Sequence, residues 1–166
     1  MRLLTLVRHA KSSWDYAELS DFERPLNERG RRDAPMMAER ALKLFGRPQR
    51  LVSSPALRAI TTAQVFAQTL GMDSHDIILR PRLYEASTST LLQVLQDLDN
   101  KEAHVMLFGH NPGLSQLAHR LAACDFDDLP TCGIAHLSLA AKHWRDVQAG
   151  CGALRRFTYP KEKLPD

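Results

Sequence analysis

The chain has 166 residues, 44% of them hydrophobic and 25% charged, with a formal net charge of +3 at pH 7. That size buries a core of ordinary domain dimensions without disulfide or metal staples, and a mild charge with acidic residues scattered among the basic ones excludes a nucleic-acid footprint. No run approaches the roughly 18 apolar residues of a membrane span, and the short apolar start ends in Arg8 without a small-residue cleavage site. A cytoplasmic protein with neither membrane span nor secretory leader is therefore expected, read as one domain over residues 1–160 with a frayed tail over 161–166.

Leu3-Leu4-Thr5-Leu6-Val7 is a short run apolar on both faces, which suits a buried parallel strand, and it delivers Arg8 and His9 at its carboxyl end. Lys11 to Leu26 lacks sustained periodicity and reads as a long loop, the length at which a loop in a compact domain is often a functional cover. A helical region opens at Asn27-Glu28-Arg29-Gly30 and runs to about Phe45; Pro35 inside it suggests that the regular part begins at Asp33 as cap. Arg50 to Ser53 reads as a second strand, followed by Ser54 as N-cap and Pro55 as first residue of a helix that ends at Gly71. Arg58 lies in the first turn of that helix, where a cation opposes the macrodipole and a partner anion would explain its presence.

Asp76 to Leu79 reads as a third strand, leading into the loop Arg80 to Ser87 with Glu85 among basic and apolar residues; Thr88 to Leu98 follows as a helix. Val105 to Phe108 repeats the opening pattern, an apolar strand running into Gly109-His110, then Asn111 as cap and Pro112 at the start of a helix to about Ala122. Ile134 to Leu139 and Ala153 to Tyr159 are strands that look like an antiparallel completion. Cys124, Cys132 and Cys151 are odd in number with no CxxC spacing, so reduced thiols are expected rather than a disulfide framework or thiolate zinc site.

Alternating strands and helices imply a three-layer α/β/α sandwich around a mostly parallel sheet with an antiparallel edge. The loops at the carboxyl edge of such a sheet are where ligands bind. They carry Arg8, His9, Arg58, Glu85 and His110, with Lys11, Ser12 and Arg24 on the long loop. One Arg-His pair after a strand is ordinarily a solvated loop; the second strand ending in His110 is what makes a shared pocket the better reading. Two arginines, two histidines and helix amino ends suit a compact dianion such as phosphate. A full charge about 4 Å from an anion is worth about 4 kcal/mol at an effective dielectric of 20, several times a helix-end contribution.

A histidine among cations stays neutral, and a neutral ring nitrogen is a nucleophile. His9 is thus the candidate to take up a phosphoryl group while Arg8, Arg58 and His110 hold its oxygens. Glu85 is either a general acid or a loop carboxylate paired with Arg80 or Arg82. His9 and His110 lack an evident third ligand at regular spacing, so no metal and no cofactor are expected. His75, His104, His119, His136 and His143 read as structural or exposed.

At Leu6-Val7-Arg8-His9-Ala10, Pro25-Leu26-Asn27-Glu28-Arg29-Gly30, Ser53-Ser54-Pro55 with Arg58, and Gly109-His110-Asn111, the chain resembles the histidine phosphatase superfamily, the phosphoglycerate mutase-like fold. The resemblance implies that His9 is the phosphorylated nucleophile, that Arg8, Arg58 and His110 bind the phosphoryl group, and that transfer needs no metal. The short length, Arg8-His9-Ala10-Lys11-Ser12 and Asp21 to Leu26 resemble the small phosphohistidine phosphatases of the signal-inhibitory type. This implies contacts from Arg24, with Lys11, Ser12 and Asn111 as further substrate-binding candidates. The short chain leaves little room for a substrate cap, so an open, shallow pocket is expected, suited to phosphohistidine on a signalling protein.

Two other readings stay open. One is a small-molecule phosphomonoesterase acting on a phosphate ester with Glu85 as acid. The other is a non-catalytic phosphate-binding module, which has no use for a nucleophile. The sequence leaves the oligomeric state open, a monomer included.

Overall fold

A computed structural model describes residues 1–164, and the end of the expected tail, residues 165 and 166, lies outside them. Six strands form one sheet: β1 (Arg2–Arg8), β2 (Arg50–Ser53), β3 (Ile78–Leu79), β4 (His104–Gly109), β5 (Ile134–Leu139) and β6 (Gly152–Thr158). Their order is β3-β2-β4-β1-β5-β6; the first four pair in parallel, and β5 pairs antiparallel with β1 on one side and β6 on the other. This is the mostly parallel sheet with an antiparallel edge that the element pattern implies.

The strands are apolar on both faces because helices cover both. Val7, Leu51, Met106 and Phe108 pack under α1 (Glu28–Phe45) and α2 (Leu57–Leu70) through Met37, Ala41, Phe66 and Leu70. The alternate residues Leu4, Leu6, Val105 and Leu107 face α3 (Thr88–Gln96) and α4 (Gly113–Leu121) through Leu91, Leu95, Leu114 and Leu117. The period of two along each strand thus builds two cores on one sheet.

Thr5, on the α1 side, is a polar exception, and its hydroxyl bridges His104 Nε2 at 2.8 Å and His136 Nδ1 at 2.7 Å. A hydroxyl has one hydrogen, so one imidazole accepts and the other donates. Burial pushes both rings down to about 4, His104 further lowered by His136 and His136 by Arg155. These two of the five histidines read as structural or exposed are therefore a neutral polar plug in the core. His75 and His119 are exposed, and His143 is half-buried.

Several boundaries differ from the sequence reading. The first helix begins at Glu28, not Asp33: Asn27 is the cap, its side chain accepting from Gly30 N at 2.9 Å. Pro35 is tolerated inside because it and Arg31, the residue whose carbonyl loses its partner, are both exposed, so water can serve that carbonyl. Ser54 is not the N-cap of α2; Ala56 is, and Ser54 turns its hydroxyl elsewhere. Ser74–Asp76 is a 3-10 turn, which shortens the third strand to two residues. In α4, Pro112 caps while Asn111 supports the first turn from outside. The tail is tied where it begins: Glu162 receives hydrogen bonds from Thr158 Oγ1 at 2.7 Å and Arg156 at 3.1 Å. Among the described residues, no helix is long and apolar enough to cross a membrane.

Candidate active site

The site follows from the register of two strands. β1 and β4 run parallel with Arg8 opposite Gly109, so the chain leaves both strands at the same level and the next residues are His9 and His110. Their ring centroids lie 5.3 Å apart. The backbone fixes His9 from both sides, its N–H donating to Gly109 O at 3.1 Å and its carbonyl accepting from Cys132 N at 3.0 Å. Ala10 N donates to Thr62 Oγ1 at 3.0 Å, which pins the turn after the strand to α2.

His9 is buried, and its Nδ1 lies 2.7 Å from Ala10 O. A carbonyl only accepts, so Nδ1 carries the hydrogen and Nε2 carries the lone pair. Burial pushes the ring down to about 3, the Ala10 carbonyl opposes this, and His110, Arg58 and Arg8 add to the lowering. His110 is lowered to about 4, by burial first and then Arg58. Both rings are neutral across the physiological range, the condition that the sequence reading set for a nucleophile.

His110 is oriented by Ser54, whose Oγ lies 2.8 Å from Nε2 and also accepts from Ala56 N at 3.2 Å. In the tautomer that lets the neutral ring donate to an oxyanion, Ser54 donates to Nε2 and Nδ1 carries the hydrogen. That Nδ1 is buried without a hydrogen-bond partner among the described residues, and so is Nε of Arg8. An unsatisfied buried donor costs about 1–3 kcal/mol, so two in one pocket call for an acceptor. The other end of Arg8 is spent on structure, NH1 donating to Leu129 O at 2.9 Å.

Asp21, which sequence reasoning did not single out as a site residue, ties the far side of the pocket together. Its backbone and carboxylate oxygens receive Arg58 at 2.6 and 3.0 Å, the carboxylate also receives Arg24 at 3.0 Å, and Tyr84 Oη donates to it at 2.6 Å. The tyrosine hydroxyl above all, then the arginines, hold the carboxyl down to about 2, and the same hydrogen bond raises Tyr84 to about 12. Tyr84 stands edge-on to both His110 and Phe22. The signal in the sequence was weak: Asp21 sits in a 3-10 turn inside the long loop and Tyr84 just after another.

Arg24 is buried, donating to Ser12 Oγ and Ser13 O, with its guanidinium 3.3 Å from the centroid of the exposed Trp14 ring. The candidates Arg8, His9, Lys11, Ser12, Arg24, Arg58, His110 and Asn111 all line one pocket of about 250 Å³. The Asn111 side chain is occupied structurally, donating to Leu129 O at 2.8 Å and accepting from Ser115 Oγ at 2.7 Å. Ser12 accepts from Arg24, so it positions that arginine.

Glu85 is not the loop carboxylate paired with Arg80 or Arg82. It makes no ion pair among the described residues; Arg82 instead faces Asp97 and Gln93, and Arg80 its own neighbour's carbonyl. It lines a second hollow of about 520 Å³ that shares Asp21, Arg58, His110 and Asn111 with the first. The expected open, shallow pocket is thus two adjoining hollows. Cys132 touches the site only by its backbone; its side chain is fully buried, which pushes the thiol up.

The family model of the histidine phosphatase superfamily (branch 1) matches residues 4–92, more than half the chain. An uncharacterised protein of Mycobacterium tuberculosis is 34% identical over 169 residues, covering 93% of this chain and all of that one. A candidate phosphohistidine phosphatase SixA from Agrobacterium tumefaciens superposes with a TM-score of 0.81 at 28% identity, over 96% of this chain and 98% of that one. The protein histidine phosphatase SixA complexed with tungstate gives 0.79 at 24% identity, over 95% and 97%, a likeness of fold. The chain belongs to the histidine phosphatase superfamily, branch 1, and is of its small, SixA-like type.

Proposed function

We propose that this protein is a phosphatase that passes the phosphoryl group through His9, and that its substrate is phosphohistidine carried on a signalling protein. The observation that carries the reading is the state of His9: neutral, with Nδ1–H held by the Ala10 carbonyl and Nε2 left as a lone pair in an arginine-rich pocket. In the first step Nε2 forms a bond to phosphorus as the bond from phosphorus to the leaving nitrogen breaks, its electron pair staying with that protonated imidazole. In the second, water attacks phosphorus, the bond to Nε2 breaks, and inorganic phosphate leaves. Arg58, Nε of Arg8 and Nδ1–H of His110 are the donors for charge on the transferring oxygens. That a SixA of similar fold is described in complex with tungstate, a phosphate-like oxyanion, supports an oxyanion pocket here.

Glu85 favours a second reading. Its carboxyl group lines the adjoining hollow and in its protonated form would give the proton that an alkoxide leaving group requires and a protonated imidazole does not. Phosphate release from a phosphohistidine peptide and from a simple alkyl phosphate, by the wild type and by His9→Ala, separates the two. Preference for phosphohistidine that vanishes in His9→Ala supports the first reading; preference for the ester supports the second. Unchanged turnover by His9→Ala refutes both.

A further inference from the structure

The larger hollow asks for an occupant. Its volume of about 520 Å³ is that of a small-molecule or side-chain site, and it is continuous with the phosphate pocket through Arg58 and His110. Its walls are largely apolar, from Leu83, Tyr84, Ala86, Leu91 and Pro112. Among the residues that line it Arg58 is the single formal cation, and both its terminal nitrogens are already turned onto Asp21. Two carboxylates face the hollow. Asp21 is countered by Arg58 and Arg24, whereas Glu85 has no ion pair among the described residues. Glu85 also stands at φ 55°, a left-handed conformation that a side-chain-bearing residue adopts only where its surroundings impose it.

We infer that this hollow is the leaving-group subsite of the phosphatase and that Glu85 selects leaving groups by charge, admitting neutral or cationic ones with an apolar body and rejecting anionic ones. The inference rests on the phosphatase reading and sharpens it. An imidazole, an amine or an uncharged side chain fits an apolar hollow rimmed by one uncompensated carboxylate. A sugar acid or a second phosphate would instead face that exposed carboxylate, with Arg58, the one cation lining the hollow, already turned onto Asp21. Glu85 is thereby a specificity residue whether or not it also moves a proton.

Three phosphonates of matched chain length test this without turnover: 2-aminoethylphosphonate, propylphosphonate and 3-phosphonopropionate, bearing an ammonium, a methyl and a carboxylate at the tip. Calorimetric titration of the wild type is expected to give dissociation constants rising in that order, with about tenfold between the ends, as one attraction and one repulsion at a solvent-exposed carboxylate supply. Glu85→Gln keeps the shape and removes the charge, and is expected to bring the three within about twofold. Equal affinities in the wild type, tightest binding of 3-phosphonopropionate, or an order that survives Glu85→Gln overturns the assignment. Charge-ordered binding without turnover of any phosphate compound would refute the phosphatase reading while leaving the subsite intact; turnover with equal affinities would do the reverse.

Discussion

Replacing Gly30 by alanine probes how the first helix holds the turn that carries His9. Gly30 lies in the first turn of α1 and its backbone meets the loop after β1: a Cβ there would sit 2.2 Å from Lys11 O and 3.0 Å from Lys11 N. Ordinary contact begins near 3.4 Å, so the Lys11 carbonyl must retreat by about 1.2 Å. That carbonyl accepts from Asn27 N at 2.9 Å, and Lys11 directly follows Ala10, whose own carbonyl holds His9 Nδ1. Overpacking of this kind costs about 1–3 kcal/mol and a lost hydrogen bond about 1 more, while alanine returns up to about 1 kcal/mol of helix propensity. The net expectation is a loss of about 1–3 kcal/mol, read as a lower midpoint in urea at unchanged slope. Because a displacement of about 1 Å near reacting groups can cost about a hundredfold in rate, kcat is expected to fall at temperatures where the variant is still folded. Wild-type stability together with wild-type kcat would refute this account of how His9 is held.

The remaining predictions concern protonation and support. His9 and His110 are expected to remain neutral down to about pH 5 in imidazole NMR, since their folded values are about 3 and 4; a His9 midpoint near 6.5 would contradict the burial argument. His9, His104, His110 and His136 all sit below the 6.5 of an exposed imidazole, so the unfolded chain binds more protons than the folded one between about pH 6.5 and 4. Their contribution to stability is therefore complete above about 6.5 and is lost as pH falls toward 4; replacing His104 and His136 by an apolar pair should flatten that loss in urea titrations. Ser54→Ala removes the partner of His110 Nε2, and a hydrogen bond of about 1 kcal/mol withdrawn from its orientation corresponds to roughly fivefold in kcat. An unchanged kcat would mean that Ser54 serves only the turn before α2.

The two strand ends were legible in the sequence because each is a short apolar run stopping at a histidine, and parallel pairing of two such runs brings the histidines together whatever the loops do. The layers were legible for the same reason, from strand runs alternating with amphipathic helices. Asp21 and Tyr84 were not, because they sit in or beside single 3-10 turns with no period and are joined only by a contact across 63 positions of chain. Ser54 misled because a serine before a proline satisfies the local rule for a cap, and only the fold shows that its hydroxyl faces His110 instead. Pro35 misled because the rule against proline inside helices is a local cost of one lost donor and a ring clash, and the packing of α1 along the rest of its length outweighs it.

The covalent step on His9 is the centre of the account, and trapping it tests the account most directly. Wild-type protein mixed with a phosphohistidine peptide and quenched in alkali should carry an acid-labile, base-stable phosphate on the peptide containing His9, formed no more slowly than overall turnover, and absent from His9→Ala. Label on another residue, or full turnover with no label on His9, would contradict it.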